Sequence, residues 1–148
     1  MDTSVKFITD RGVSHELVRH RLASYAQEST RYCNYSKDRF DGITVIETPF
    51  FEPASEQELI WTMAMKYAET AYLKLIELGA SPQEARSVLP SSLKTEIVVT
   101  TNLREWRHIL KLRTAQDAHP QIREIMQPLL DEFRRAIPVV FDDINCKE

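Results

Sequence analysis

A chain of 148 residues with a net charge of −3, 43% hydrophobic and 28% charged residues, has the makings of one folded domain, since about 150 residues bury roughly 70% of their unfolded surface. That balance excludes a disordered polymer and disfavours a general nucleic-acid binder, which carries a basic excess. No apolar run reaches the roughly 20 residues that span a bilayer, and Met1–Lys6 holds no apolar core of signal-peptide length, so the expected location is the cytoplasm.

In chain order, Val5–Thr9 is β-prone and is closed by the turn residues Asp10, Arg11 and Gly12. Ser14 is placed to cap a short helix carrying Glu16 to His20. Leu22 to Tyr35 is polar without helical period and reads as an extended loop. Ile43–Glu47 reads as a strand ended by Pro49 and Pro53. Ser55 and Glu58 form a capping box ahead of apolar pairs at 59/60, 63/64, 67/68, 71/72 and 75/76, which is a 3.6-residue period. Gly79 is the stop, and Ser81, Pro82 and Glu84 start a second helix that ends at or before Leu89, ahead of Pro90. Thr95–Thr100 is the best strand candidate. Asn102 and Glu105 make a third capping box that opens a helix through Leu112, and a last helix runs from His119–Pro120 to about Arg135, with Pro128 as a kink. The expected fold is a single α+β domain over residues 1–148, a small, mostly antiparallel sheet with helical cover.

Cation type says more than total charge: there are 12 Arg against 7 Lys, and the guanidinium fork suits phosphates and carboxylates. The densest constellation is Arg19-His20-Arg21 followed by Gln27, Ser29 and Arg31. On a helix, positions 19 and 21 lie about 200° apart and face opposite ways. In an extended segment, Gln27, Ser29 and Arg31 share one face, a line suited to a phosphate and its neighbouring hydroxyls. A solvated basic turn is the alternative that spacing leaves open. Arg104 and His108 share a helix face with Asn102 at its N-terminal end, where anions are favoured; a plain N-cap with exposed ion pairs is the alternative. Arg86 and Arg113 sit beside apolar residues, as snorkelling cations or cations aimed into a cleft. With glycines only at 12, 42 and 79, no Walker loop or GxGxxG is possible. Metal binding is not expected, because His15 and His20 are off-phase and nothing has zinc-like spacing. Cys33 and Cys146 are too few for a disulfide framework and read as buried or idle thiols.

Arg19-His20-Arg21, seven residues, then Ser29 resembles the RHRx7S motif of flavin-dependent thymidylate synthases. The blocks Gln27–Tyr32, Ala85–Pro90, Thr101–Trp106 and Leu112-Arg113 with Ala118–Gln121 follow in the family's order, and the resemblance runs from about Val5 to Ile144. It implies reductive methylation of dUMP to dTMP, with FAD as cofactor and methylenetetrahydrofolate and NADPH as co-substrates, in a homotetramer whose active sites are shared between subunits. It places Arg19, His20, Arg21, Gln27, Asn102, Leu103, Arg104 and His108 (where the family often has Asn) at the flavin. It places Glu16, Arg19, Gln27, Glu28, Ser29, Thr30, Arg31 and Arg86 at dUMP, Glu16 standing where many members carry Gln. Arg113 matches the arginine that polarises the uracil ring, electrostatics of the kind that makes a ring reactive, and Ser29 is assigned to binding rather than nucleophilic attack. Family members usually have several dozen residues before the strand that begins here at Val5, which supply a strand, a helix and Ser/Thr/His contacts to FAD. Two other readings stay open: a non-catalytic nucleotide-binding or oligomerising relative, and an RNA- or DNA-binding module, which the acidic balance disfavours.

Overall fold

The computed structural model describes residues 2–37 and 42–144. Cys146 lies outside them. The Val5–Thr9 run extends in both directions into β1 (Asp2–Asp10). The expected turn at Asp10–Gly12 is instead the start of α1 (Arg11–Leu17). The Arg11 and Gly12 N–H groups donate to the Ser91 carbonyl at 3.0 and 3.2 Å, so the first orphan donors are satisfied by backbone and no Ser14 cap is needed. Ser14 is buried inside the helix. Because α1 stops at Leu17, Arg19 and Arg21 are not helical, and the 200° separation does not apply to them.

The expected loop from Leu22 contains β2 (Ser24–Gln27), which pairs with β3 (Lys94–Asn102). The sheet order is β1-β3-β2. Ser4 meets Thr100 and Arg11 meets Leu93 on one side of β3, while Leu22 meets Thr101 and Gln27 meets Thr95 on the other, so rising numbers face falling ones and both pairings are antiparallel. Ile43–Glu47 makes only a bridge, Val45 to Leu93. The Lys94 N–H donates to the Thr44 carbonyl at 2.8 Å and the Ile46 N–H to the Ser92 carbonyl at 2.9 Å, and Pro90, just before, has no N–H with which to extend the pairing.

α2 (Glu56–Glu77) is capped by Ser55, whose hydroxyl accepts from the Glu58 N–H at 3.2 Å; the Glu58 carboxylate accepts from the Ala54 N–H rather than closing the box on Ser55. The helix ends as expected at Gly79, with φ +94° and the Ala80 N–H on the Leu75 carbonyl at 2.9 Å, a Schellman-type close. Nothing lies within 4 Å of a Cβ built there. Gly79→Ala is therefore expected to cost about 1 kcal/mol from backbone conformation alone; a neutral result in a urea melt would show that the turn relaxes. α3 (Pro82–Ala85) has the full capping box of Ser81 and Glu84 and passes into a 3-10 turn, Arg86–Val88. α4 (Leu103–Arg113) and α5 (Pro120–Ala136) follow, α5 running on through the exposed Pro128. The short α6 (Pro138–Phe141) was not expected.

The chain forms two compact units, one from residues 1–7, 13–26 and 97–148, the other from 8–12 and 27–96. In the first, α4 supplies Trp106, Ile109 and Leu110, and α5 supplies Ile122, Met126, Leu130 and Phe133 to one core with Phe7, Ile97 and Val99. In the second, Tyr35, Tyr72, Ala85 and Leu93 form the core, with Tyr35 and Tyr72 edge to face at 5.5 Å. Only the C-terminal part of the α2 stripe is used there. Leu59, Ile60, Met63 and Tyr67 are exposed, although they fall within about 100° of arc on the helix. No helix among the described residues is long and apolar enough to cross a membrane.

Candidate functional site

In the first unit the site is built on the chain between α1 and β2. The segment turns immediately after Leu17 and reverses into β2, where Tyr25 donates its hydroxyl to the Leu17 carbonyl at 2.8 Å and also contacts the His20 carbonyl. Burial, then the Glu105 carboxylate, pushes the Tyr25 phenol above its usual range, so it stays a neutral donor. This staple presents Arg19 and Arg21 to solvent and turns His20 inward. The opposite-facing helical arrangement expected for Arg19 and Arg21 is thus replaced by a stapled turn in which both arginines are exposed and His20 is buried.

Arg113, on the last turn of α4, completes the cluster. Its Nε–H donates to His20 Nε2 at 3.0 Å, Nη1 to Glu16 Oε2 at 2.8 Å and Nη2 to the Glu16 carbonyl at 3.3 Å. A guanidinium only donates, so His20 Nε2 must be an acceptor and the ring is neutral with its proton on Nδ1. That nitrogen faces the buried Glu105 carboxylate at 4.0 Å. His108 packs its ring edge-on to His20 at 6.1 Å between centroids. Glu105 had been expected to close a capping box; Asn102 does accept from its N–H at 2.9 Å, but the carboxylate turns to His20.

Burial, then the neighbouring Arg113 and His108 charges, lowers the His20 pKa from 6.5 to about 4. An unfolded chain would protonate this ring near pH 6.5, before the folded one does. Stability from the neutral ring is thus complete above about pH 6.5 and is lost as pH falls toward 4, on the order of 2–3 kcal/mol. His20→Gln is expected to flatten that part of the pH–stability curve in urea melts between pH 7 and 4.5. An unchanged slope in the variant would mean that other groups carry it.

His20, Glu105 and His108 place possible ligand atoms within 4.8 Å of one another, a convergence that sequence spacing did not show. The Arg113 hydrogen bond occupies one His20 nitrogen, and its charge opposes a cation there.

Arg21 and Asn102 share a recess of about 350 Å³ with Leu22, Ala23, Ser24 and Thr100. Leu103 is half-buried against the core, whereas Arg104 and His108 are exposed on α4. Arg19, Arg21 and Arg104 make no side-chain hydrogen bond or ion pair among the described residues. The sequence reading missed Tyr25 and Glu105; an aromatic inside the motif's spacer and an acid three residues after a cap were the available signals.

In the second unit, Gln27 donates to the Thr95 hydroxyl at 3.2 Å. The Glu28 carboxylate lies 3.9 Å from Lys94 and accepts from the Cys33 thiol at 3.6 Å; Cys33 is half-buried. Ser29 Oγ accepts from the Arg31 N–H at 3.3 Å, Thr30 is buried, and Arg31 donates to Gln83 at 3.0 Å with its guanidinium 5.6 Å from the Tyr32 ring centre. Residues 30–32 form a turn, so the extended line expected for Gln27, Ser29 and Arg31 is not present. The Ser29 and Arg31 bonds replace the shared face with a local polar knot. Arg86 is exposed in the 3-10 turn.

An antiparallel α+β frame carrying one braced guanidinium and several unengaged ones is suited to holding an anionic planar ligand. The chain matches the family model described as thymidylate synthase complementing protein over residues 1–139, and it belongs to that family. It is 35% identical over 133 residues to the flavin-dependent thymidylate synthase of Geobacter sulfurreducens, a match that covers 90% of this chain and 56% of the relative. It is 40% identical over 127 residues to that of Thermococcus kodakarensis, covering 84% and 51%. The chain thus spans about half the length of the curated relatives it matches. A crystal structure of Thymidylate Synthase X from Helicobacter pylori with FAD and dUMP superposes with a TM-score of 0.76 at 20% identity, covering 97% of this chain and 72% of that one, which shows a shared fold.

Proposed function

We propose that this chain acts in the reductive methylation of dUMP to dTMP, with FAD as cofactor, NADPH as reductant and methylenetetrahydrofolate as one-carbon donor. The observation that carries the reading is Arg113, brought from α4 onto the Arg19-His20-Arg21 segment and held there by Glu16 and His20. A guanidinium fixed before the ligand arrives stabilises charge on a pyrimidine ring without reorganising. Bound flavin supplies the hydride chemistry. The residues fit that group in one respect: Arg21 and Asn102 open onto a polar recess, and the exposed Arg19 and Arg104 supply charge for a pyrophosphate. His20, kept neutral, offers no competing cation at working pH. Gln27, Glu28, Ser29, Thr30, Arg31 and Arg86 are assigned to dUMP by their positions in the family pattern.

Purified protein is expected to carry a flavin spectrum, or to take up added FAD, and to oxidise NADPH only when dUMP and the folate are present. Colourless protein that neither binds FAD nor oxidises NADPH with dUMP would sink the reading. Flavin and dUMP binding with no turnover would favour the alternative, a non-catalytic nucleotide-binding relative.

The homotetramer belongs to the same proposal. Its support is the exposed stripe Leu59, Ile60, Met63 and Tyr67 on α2, since contiguous apolar surface on a folded chain marks an interface. The wild-type mass by light scattering is expected to be that of four chains, and the double variant Met63→Lys, Tyr67→Lys is expected to fall to a smaller species at the same concentration. An unchanged mass in the variant would place the interface elsewhere.

A further inference from the structure

We infer that Glu16 is a positioning residue for Arg113: its side-chain and backbone oxygens, together with His20, set the direction in which the guanidinium offers its remaining N–H groups. The inference rests on the nucleotide reading above and reassigns Glu16, which stands among the positions expected to contact dUMP.

The geometry is an accounting of donors. A guanidinium has five N–H groups in a rigid fork. Three of them are engaged within the first unit: Nε–H on His20 Nε2, one Nη1–H on Glu16 Oε2, and one Nη2–H on the Glu16 carbonyl. Among the described residues, one N–H on each terminal nitrogen remains to donate to acceptors on a planar ligand. Arg113 is on the last turn of α4 and Glu16 on α1, so the brace joins two rigid elements. The pair is partly shielded, with side-chain exposures of 20% for Arg113 and 28% for Glu16. A hydrogen bond there fixes direction more than a solvent-swept surface pair would.

What Glu16 contributes is an acceptor at the right reach, held by the α1 backbone. Glutamine keeps an acceptor oxygen at the same distance, whereas alanine keeps none. With alanine, Arg113 retains only His20 and the Glu16 carbonyl, and the fork is free to swing about its own χ angles. Misplacing a reacting group by about 1 Å costs on the order of 100-fold in rate.

The test compares wild type, Glu16→Ala and Glu16→Gln as the flavin-loaded protein. Glu16→Ala is expected to lose kcat about 100-fold, with KM for dUMP moved by less than about threefold. Glu16→Gln is expected to recover most of that loss. Wild-type kcat in Glu16→Ala overturns the inference, as does Glu16→Gln failing equally. A rise in KM alone for Glu16→Ala restores the direct nucleotide contact and also overturns it.

A second readout needs no turnover. The His20 ring, followed by NMR titration, is expected to move its midpoint upward in Glu16→Ala, because an Arg113 whose fork swings off the ring for part of the time opposes its protonation less. If Glu16 did not hold Arg113, removing a nearby negative charge would push that midpoint down instead, and this result overturns the inference. Wild-type protein that binds neither flavin nor dUMP defeats the nucleotide reading on its own, and the ring titration still decides whether Glu16 holds Arg113.

Discussion

Arg113→Ala is expected to reduce turnover by about 10²–10³-fold while leaving flavin bound, the range seen when one preorganised donor to a developing charge is removed. The guanidinium is fixed by Glu16 and His20 before any ligand is present, so its loss takes away electrostatic stabilisation that water cannot replace in the same geometry. A second consequence follows from the same contacts. The Arg113 charge is one of the causes that hold His20 down at about 4; without it the ring is expected to titrate closer to 6.5. The measurements are kcat with dUMP in excess, the flavin absorbance of the purified variant, and its melting temperature. Loss of bound flavin, or a Tm drop of more than about 5 °C, would show that Arg113 is chiefly a structural brace.

The largest expected effect on stability is at Trp106. The ring is fully buried, stands edge to face on Phe133 at 5.6 Å, lies 6.3 Å from Phe7, and donates its indole N–H to the Thr3 carbonyl at 3.0 Å. Trp106→Ala leaves a cavity between α4 and α5 and orphans that carbonyl, a loss of about 3–5 kcal/mol. Total stability of a domain this size is about 5–15 kcal/mol, so the variant is expected to be partly unfolded at 37 °C. Trp106→Phe should cost clearly less, since most of the packing is kept. Urea melts followed by circular dichroism compare the three proteins, and a loss below about 1 kcal/mol in Trp106→Ala would mean that the core closes over the gap.

Local signals were read well wherever the determining groups lie within a few residues of one another. The Ser55 cap, the Gly79 stop, the Ser81-Pro82-Glu84 box and the Asn102 cap all stand where sequence placed them, because each satisfies backbone donors or acceptors of its own turn. The β-prone residues of Thr95–Thr100 marked a strand for a like reason, since β-branched side chains suit extended backbone whatever lies beside them. Family membership was equally legible, since ordered motif blocks survive in sequence whatever the fold does with them.

Misreadings occurred where a distant partner supplied the deciding bond. The backbone carbonyl of Ser91 starts α1 at Arg11, three residues before the expected Ser14 cap. Pairing with β3 turned the start of a polar loop into β2. Opposite Pro90, which has no N–H to give, the Ile43–Glu47 strand is reduced to one bridge.

By itself, then, the sequence determined the caps and stops from Ser55 to Asn102, the strand at Thr95–Thr100, and the family to which the chain belongs. Only the tertiary structure decided that His20 is buried and neutral, that Tyr25 staples the turn beside it, and that Glu16 and His20 hold Arg113 between them. Caps and periodicities are satisfied within a turn of helix or a few residues of strand. A hydrogen bond spanning 97 residues of chain, as between Glu16 and Arg113, exists only after two rigid elements have packed, and nothing in the local pattern of either end announces the other.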